Sequence, residues 1–246
     1  MPLFDIHAYY GPTPLFEGFN SREAVVYAMQ SFHMDAVGLI STRARYSDFV
    51  AGNRQLKDIV DAEHGVFGYV TANCAYIDES MQEMRVYLAR HAFLGTVLFP
   101  QAGSPVLLAE TKDLINGARR YGKPILVYVE DREGVRALRE IATEFDQMKF
   151  VLLNMAGDDW RAAVLAAKNH PNIMLDISGT LDAEKIDHAA TQISARKIAF
   201  GSAMPYADPN LYTGMISEAA TVSQLDRKRI MYMNALSLFS IEAEIE

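Results

Sequence analysis

The sequence predicts an α/β protein, a single-domain (β/α)8 TIM barrel spanning residues 1–246. Two observations lead to this prediction. Eight short apolar segments recur along the chain with starts 24 to 32 residues apart, which is close to the length of one βα unit. These segments are almost continuously apolar, as is typical of strands covered on both faces of a sheet. Eight units are the number that closes a barrel, whereas an open doubly wound sheet usually uses fewer.

Each predicted strand is rich in Val, Ile, Leu and Phe, and a polar stretch with helical character follows it. The segments are LFDIH (3–7), DAVGLIS (35–41), VFGYVTA (66–72), GTVLFPQ (95–101), PILVYV (124–129), KFVLLN (149–154), IMLDIS (173–178) and KIAFGS (197–202).

Residues that favour helix ends stand at the borders of the intervening stretches. The predicted borders are Asn20-Ser21 before REAVVYAMQSF, Asp78 before ESMQEMRVYLARHA, Ser104-Pro105 before a helix from about Val106, Gly122-Lys123-Pro124 after that helix, and Asp158-Asp159 before WRAAVLAAKNH. No Gly/Ser linker or low-complexity segment interrupts the series, so the sequence gives no sign of a second domain.

The composition argues against several classes of partner. The chain has 31 acidic and 23 basic residues and a formal net charge of −8, whereas nucleic acid and anionic membranes attract clustered Lys and Arg. Cys74 is the single cysteine, so no disulfide forms within the chain, and its start lacks the pattern of a signal peptide. No apolar run approaches the ~18–20 residues of a membrane span. We therefore expect an acidic, soluble, cytoplasmic protein.

In a barrel of this kind the chemistry takes place where the strands end at their carboxyl termini. The side chains at or just after the predicted strand ends are therefore the first candidates for a site. They are His7, Tyr9, Ser41, Arg43, Asn73, Gln101, Tyr128, Glu130, Asn154, Ser178 and Ser202.

Several of these strand ends lie in motifs that resemble one known family over nearly the whole chain. The motifs, in order, are FDIHAYYGP, GTVLFPQ, GKPILVY, FVLLNMAGDDW, NHPNIMLDISG, FGSAMPYADP and NALSLFSI. The sequence resembles the amidohydrolase-related TIM-barrel hydrolases and decarboxylases, the amidohydrolase-2 family, which are metal-dependent. No single motif is decisive, but seven in the same order and spacing are specific.

The resemblance implies a metal site made of a His-x-His pair on the first strand, a His ending the fifth, a His ending the sixth and an Asp after the eighth. The first His falls on His7. The other four positions carry Tyr9, Tyr128, Asn154 and Ala203. The missing Asp is also the family's usual general base, so the resemblance implies that metal and base are lost together.

The chemistry of these replacements disfavours a metal ion. Zn²⁺ prefers imidazole, thiolate or carboxylate, whereas a tyrosine phenol with a pKa near ~10 is a poor ligand at neutral pH. We therefore predict no cofactor. A metal that did bind would need a site rebuilt from the replaced residues or from others such as Glu130 and Asp176; a remnant site of His7, Asn154 and water has two neutral ligands and no carboxylate, and ranks last. Tyr9 and Tyr128 either bind a ligand or fill the volume that a metal site leaves, since cavities are costly.

Charged residues near the mouth leave further alternatives open. Arg43 or Arg45 could clamp an anionic substrate, although a loop arginine more often forms a surface ion pair. Glu130 and Asp131 could replace the base, but EDREGV also reads as the start of a helix, where acidic residues are favourable. The candidate pocket residues are His7, Tyr9, Arg43, Tyr128, Asn154 and Ala203, and none is assigned as catalytic.

Two functional hypotheses follow. In the first, the protein is a metal-free homologue that binds a small molecule in the barrel mouth, without the family's catalysis. In the second, it is a metal-independent hydrolase, lactonase or decarboxylase that acts on a small carboxylate, with His7 as base and Tyr9 or Tyr128 as acid. We expect a homo-oligomer, most simply a dimer, because barrels of this family commonly pair through their outer helices.

Overall fold

The structure, a computed structural model, describes residues 1–13, 15, 18–19, 21–99 and 109–242, with the side chains of 109 and 110 left out. Eight strands alternate with helices along the chain, as the sequence predicts. They are β1 (Phe4–Tyr10), β2 (Ala36–Ser41), β3 (Val66–Ala72), β4 (Phe93–Leu98), β5 (Ile125–Tyr128), β6 (Phe150–Leu153), β7 (Ile173–Asp176) and β8 (Ile198–Ala199).

The eight strands form one parallel sheet in the order β1 to β8. Hydrogen bonds between the segment after β8 and β1 close the sheet into a barrel. The amide of Ile6 donates to the carbonyl of Phe200 at 3.0 Å, and the amide of Tyr9 donates to that of Met204 at 2.8 Å. The predicted single-domain TIM barrel is therefore confirmed.

Helices surround the sheet on its outer face. They are α1 (Arg22–Ser31), α2 (Thr42–Tyr46), α3 (Phe49–Val60), α4 (Ile77–Tyr87), α5 (Ala109–Ala118), α6 (Arg132–Glu144), α7 (Trp160–Asn169), α8 (Ala183–Ile193), α9 (Pro209–Glu218), α10 (Gln224–Lys228) and α11 (Asn234–Phe239). Short 3-10 turns and one π-helical turn, Arg229–Met233, join some of them.

Several predicted borders are confirmed and others differ locally. β4 begins at Phe93, two residues before the predicted segment, and β8 spans only Ile198–Ala199 of the predicted 197–202. Ser21 caps α1 by accepting the amide of Ala24 at 3.2 Å, and Gly122 ends its helix at a φ of +64°. Asp78, however, lies inside α4 rather than before it. β1 is longer than predicted because it continues through Tyr10. The predicted border at Asn20, that at Ser104-Pro105, and Gln101 fall outside the described residues.

Apolar side chains divide into an outer cluster between sheet and helices and an inner cluster inside the barrel. Helix α11 supplies Ala235 and Leu238 to the inner cluster. The ring of Phe239 lies 5.9 Å from that of Phe4, at the start of β1. Since α11 covers the amino-terminal ends of the strands, any site faces the other end, where the strands finish. No described helix has the length and apolar content that crossing a membrane requires.

Candidate functional site

The site is built around His7 on β1. Its imidazole is fully buried, and both ring nitrogens have protein partners. Nδ1 lies 2.6 Å from Oδ2 of Asp176 and 3.0 Å from Oγ of Ser178, while Nε2 lies 3.0 Å from the hydroxyl of Tyr9. A register shift in β1 between Asp5 and Ala8 accompanies this arrangement. Extra residues of this kind redirect side chains at barrel rims.

The hydrogen-bond directions at this centre follow from Arg45, which can only donate. Its Nη1 lies 3.0 Å from the hydroxyl oxygen of Tyr9, so that oxygen accepts. The same hydroxyl is hydrogen-bonded to Nε2 of His7, and Nδ1 of His7 is hydrogen-bonded to Asp176. A continuous chain of hydrogen bonds runs from Arg45 at the mouth to Asp176 in the interior.

Asp176, at the end of β7, accepts hydrogen bonds from groups on or after several strands. Its Oδ1 accepts the amide of Asn154 at 3.0 Å, and both the amide and the hydroxyl of Ser178, at 3.0 and 2.7 Å. The buried carboxylate is thereby surrounded by donors, which is the condition under which a buried charge is tolerated. Asp176 therefore links the segments after β6 and β7 to β1.

The turn after β6 has an unusual backbone. Asn154, Met155 and Ala156 have φ values of +65°, +45° and +59°, in the left-handed region that most residues avoid. Gly179 allows the close approach that this turn needs, because a Cβ there would lie 2.3 Å from the carbonyl oxygen of Asn154. Backbone strain of this kind is frequent at ligand and active sites.

The segment after β8 completes the ring. A Cβ at Gly201 would lie 2.8 Å from Oδ2 of Asp176 and 3.0 Å from Cβ of His7, so glycine permits this close contact. Asp5 accepts the amide of His7 at 2.9 Å and both the amide and the hydroxyl of Ser202. Ala203 donates its amide to the carbonyl of His7 at 2.7 Å. The position expected to carry an Asp is thus hydrogen-bonded to His7 through its backbone amide.

Burial shifts the protonation of groups around the centre. It raises the pKa of Asp5 to about 6, although the Ser202 hydrogen bonds oppose this. It also raises the pKa of the Tyr9 phenol well above its ordinary value, so Tyr9 keeps its proton at neutral pH. Lys185, fully buried on α8, donates to the carbonyl of Ser178 at 2.9 Å, and burial lowers its pKa to about 8. The positive charge of Lys185 interacts favourably with the negative charge of the Asp176 carboxylate.

The outer part of the mouth is an arginine among aromatic rings. The guanidinium carbon of Arg45 lies 4.3 Å from the ring centre of Tyr128, 4.5 Å from that of Phe99 and 4.9 Å from that of Tyr46. The Tyr128 hydroxyl donates to the exposed Glu130 at 2.8 Å.

Five of the six candidate pocket residues from the sequence meet here: His7, Tyr9, Tyr128, Asn154 and Ala203. Arg43 does not, because its side chain is exposed on α2 and Arg45 occupies the mouth instead. Asp131 caps α6 by accepting the amide of Gly134 at 2.8 Å, which supports the helix-start interpretation of EDREGV.

Sequence reasoning named Asp176 only as a residue that could help to rebuild a metal site, and it did not assign Lys185 to the site. Asp176 had a signal, since it lies in a predicted strand near its carboxyl end, where barrel sites form. Lys185 had none, because a lysine in an amphipathic helix normally faces water.

The side chains at the five positions where the resemblance implies metal ligands do not fit a divalent metal ion. The His7 nitrogens are engaged by Asp176 and Tyr9, the two tyrosines keep their protons, and Ala203 offers no side-chain donor. Within the described residues, no three His, Cys, Asp or Glu side chains are grouped as a metal site requires. We therefore assign no step to a metal ion.

Comparison with known proteins agrees with the fold. The family model described as Amidohydrolase matches residues 28–241. No curated protein matches the sequence. Among solved structures, a 2,6-dihydroxybenzoate decarboxylase from Rhizobium is 11% identical with a TM-score of 0.78, covering 98% of this chain and 99% of its own.

Two further structures are similar at the level of the fold. A dihydroxybenzoic acid decarboxylase from Polaromonas, with bound manganese and 2-nitroresorcinol, is 13% identical with a TM-score of 0.78, covering 99% of this chain and 98% of its own. A 4-oxalomesaconate hydratase from Rhodopseudomonas palustris is 14% identical with a TM-score of 0.74, covering 97% and 95%.

Proposed function

The chain belongs to the amidohydrolase family, and from this premise we propose that it is a metal-free homologue that binds a small molecule in the barrel mouth. The observation that carries this proposal is the state of His7. It is the one family ligand position that keeps its residue, and its two ring nitrogens are bonded to Asp176 and to Tyr9. A metal would have to displace a phenol that is itself held by Arg45.

The proposal is tested first by elemental analysis of protein purified without chelator, before and after incubation with Zn²⁺ or Mn²⁺. We expect less than about a tenth of an equivalent in both samples, since a structural or catalytic site would bind close to one. The same samples are assayed with lactones, amides and 2,6-dihydroxybenzoate. Near-stoichiometric metal, or turnover that depends on added metal, overturns the proposal.

A metal-independent hydrolase, lactonase or decarboxylase acting on a small carboxylate is the second candidate. The hydrogen-bond network of Asp176, His7 and Tyr9 favours it, because it places a histidine and a phenol, the base and the acid of this hypothesis, in direct contact. Against direct action by His7 stands its complete burial behind Tyr9, which is only 2% exposed.

The second candidate predicts turnover that persists in EDTA and is lost in Tyr9→Phe. The ligand affinity of the Tyr9→Phe variant should change only a few-fold, since phenylalanine keeps the aromatic ring. Absence of turnover in the wild type, or full activity of Tyr9→Phe, decides against it.

Two further parts of the proposal concern assembly and location. We propose a homodimer through outer helices, which light scattering coupled to size-exclusion chromatography tests directly. We also propose a cytoplasmic location, which is supported by the single cysteine, Cys74.

A further inference from the structure

We infer that a cavity at the amino-terminal ends of β6, β7 and β8 binds a phosphate monoester of a small organic molecule. The cavity lies at the end of the barrel opposite the mouth. The inference therefore goes beyond the proposed function and does not depend on it.

The cavity is formed where three neighbouring strands begin. Lys149 directly precedes β6, Asn172 precedes β7 and Lys197 precedes β8, and all three line it. The π-helical turn and α11 close its other side. Its volume is about 400 Å³, which lies within the range of pockets that hold small molecules.

The first support is the charge of the lining. Four basic side chains face this cavity, and none of its lining residues in the described part of the chain is acidic. They are Lys149, Arg196, Lys197 and Arg229. The whole chain carries a net charge of −8, so these side chains form a local excess of positive charge. A concave surface with one sign of charge concentrates ligands of the opposite sign.

The second support is that little of this positive charge is paired within the protein. Arg229 forms an ion pair with Asp226 at 2.6 Å, and Asp226 does not line the cavity. Lys149, Arg196 and Lys197 have no carboxylate within ion-pair distance among the residues that the structure describes. An anion bound in the cavity would supply the missing counter-charge.

Lys197 shows the cost of this arrangement most clearly. Its side chain is half-buried and donates to the backbone carbonyls of Ala167 and His170. These acceptors are neutral, and burial lowers the pKa of the Lys197 ammonium. A partly desolvated ammonium without a counter-ion gains more from a nearby anion than a fully solvated one does.

The third support is that hydrogen bonds hold the walls in place. The side-chain amide of Asn234 donates to the carbonyls of Ala195 and Ile198, both at 2.6 Å. That of Asn172 donates to the carbonyl of Ala142 at 2.9 Å. Binding to a cavity whose walls are already ordered costs less conformational entropy.

The remaining lining indicates an organic ligand rather than a bare ion. Met174, Met233 and Leu238 line the cavity beside the basic groups. The side chain of Met233 is 47% exposed, and methionine adapts to ligands of different shape. A phosphate monoester carries close to two negative charges at neutral pH and accepts from several Lys and Arg side chains at once. It therefore matches four basic groups better than a singly charged carboxylate does.

The experiment is isothermal titration of the full-length protein at low salt with butyl phosphate, inorganic phosphate, pentanoate and butanol. Inorganic phosphate lacks the apolar chain, pentanoate carries a single charge and butanol carries none. We expect butyl phosphate to bind, and inorganic phosphate and pentanoate to bind several-fold more weakly. Butanol should show no measurable binding. Added NaCl should weaken the binding of butyl phosphate, because salt screens exposed charges.

Three variants locate the binding site. Arg196→Gln should weaken the binding of butyl phosphate by about three- to tenfold, since water screens part of the charge of this exposed side chain. The double variant Lys149→Gln, Arg196→Gln should show no measurable binding. Ser237→Trp keeps all four basic groups and fills the cavity from an exposed position on α11, so it should also abolish binding.

Arg139→Gln is the matched control. Arg139 is exposed on α6 and does not line the cavity, so this variant should bind butyl phosphate as the wild type does. Circular dichroism confirms that each variant is folded.

Several results would overturn the inference. Absence of butyl phosphate binding, or unchanged binding in the double variant or in Ser237→Trp, shows that the cavity is not the site. An equal loss in Arg139→Gln and Arg196→Gln shows general attraction of anions to the surface. Inorganic phosphate or pentanoate that binds as tightly as butyl phosphate contradicts the proposed class of ligand. The metal content of the wild type tests the proposed function separately, whatever the titrations show.

Discussion

The imidazole of His7 and the carboxylate of Asp176 lie 2.6 Å apart and are both fully buried, although 169 residues separate them in the chain. This pair joins β1 to β7 across the barrel mouth. The other ring nitrogen of His7, Nε2, is hydrogen-bonded to the Tyr9 hydroxyl at 3.0 Å. Both ring nitrogens of His7 are therefore engaged in a hydrogen-bond network within the protein.

Removing the Asp176 carboxylate should destabilise the fold. Asp176→Ala leaves the amides of Asn154 and Ser178 and the His7 ring without their buried acceptor. We expect the free energy of unfolding to fall by about 3 kcal/mol, the scale for breaking a buried charged hydrogen-bond network. Urea denaturation measures it, with the exposed Asp146→Ala as control. A loss no larger than that of the control would contradict the proposed importance of Asp176.

Protonation of Asp5 should make stability depend on pH in the acidic range. Its folded pKa of about 6 lies above the ordinary value of 3.8. Between these two values the folded protein holds a proton that the unfolded chain has released, so the free energy of unfolding falls as pH rises. Two pKa units correspond to about 3 kcal/mol.

Comparison of wild type with Asp5→Asn between about pH 4 and pH 6 isolates this contribution, since the variant cannot titrate there. The exposed Asp58→Asn should keep the wild-type slope. Parallel pH profiles for wild type and Asp5→Asn would show that Asp5 is not the group responsible.

Lys185 should produce the opposite slope at alkaline pH. Its folded pKa of about 8 lies below the ordinary 10.5. Between these values the unfolded chain holds a proton that the folded protein has released, so the free energy of unfolding rises with pH, by up to about 3 kcal/mol. Lys185→Met should lack this rise, while the exposed Lys228→Met should retain it. Thermal melts at pH values across this window provide the measurement. If the stability of the wild type and of Lys185→Met changed with pH in the same way, the prediction would be refuted.

Introducing the metal ligands that the family resemblance implies should create a metal site. The fourfold variant Tyr9→His, Tyr128→His, Asn154→His and Ala203→Asp releases Nε2 of His7 and supplies the missing donors. Positions 154 and 203 have φ values of +65° and +56°, and His and Asp adopt this region more readily than most residues. We expect close to one equivalent of Zn²⁺ or Mn²⁺ by elemental analysis. Adding His7→Ala to the fourfold variant should abolish this metal binding. A wild-type protein that held as much metal as the variant would contradict the prediction.

The sequence by itself determined the barrel, because apolar strand segments and helix caps are local signals repeated at a constant spacing. It also located the mouth, since strand ends in a barrel converge at one face. The family resemblance led to the prediction that Tyr9, Tyr128, Asn154 and Ala203 stand at ligand positions. The helix start at Asp131 was also predicted from a local signal, the acidic residues of EDREGV.

Only the tertiary structure decided how these residues interact. Whether Arg43 or Arg45 enters the mouth depends on which side of the short helix α2 faces the barrel. The two arginines lie two residues apart in this five-residue helix, so the sequence does not distinguish them. The pairing of His7 with Asp176, the buried Lys185 and the left-handed turn at Asn154 join segments that are distant in the chain. Such contacts depend on burial and on which strands become neighbours, and these exist only once the sheet has closed.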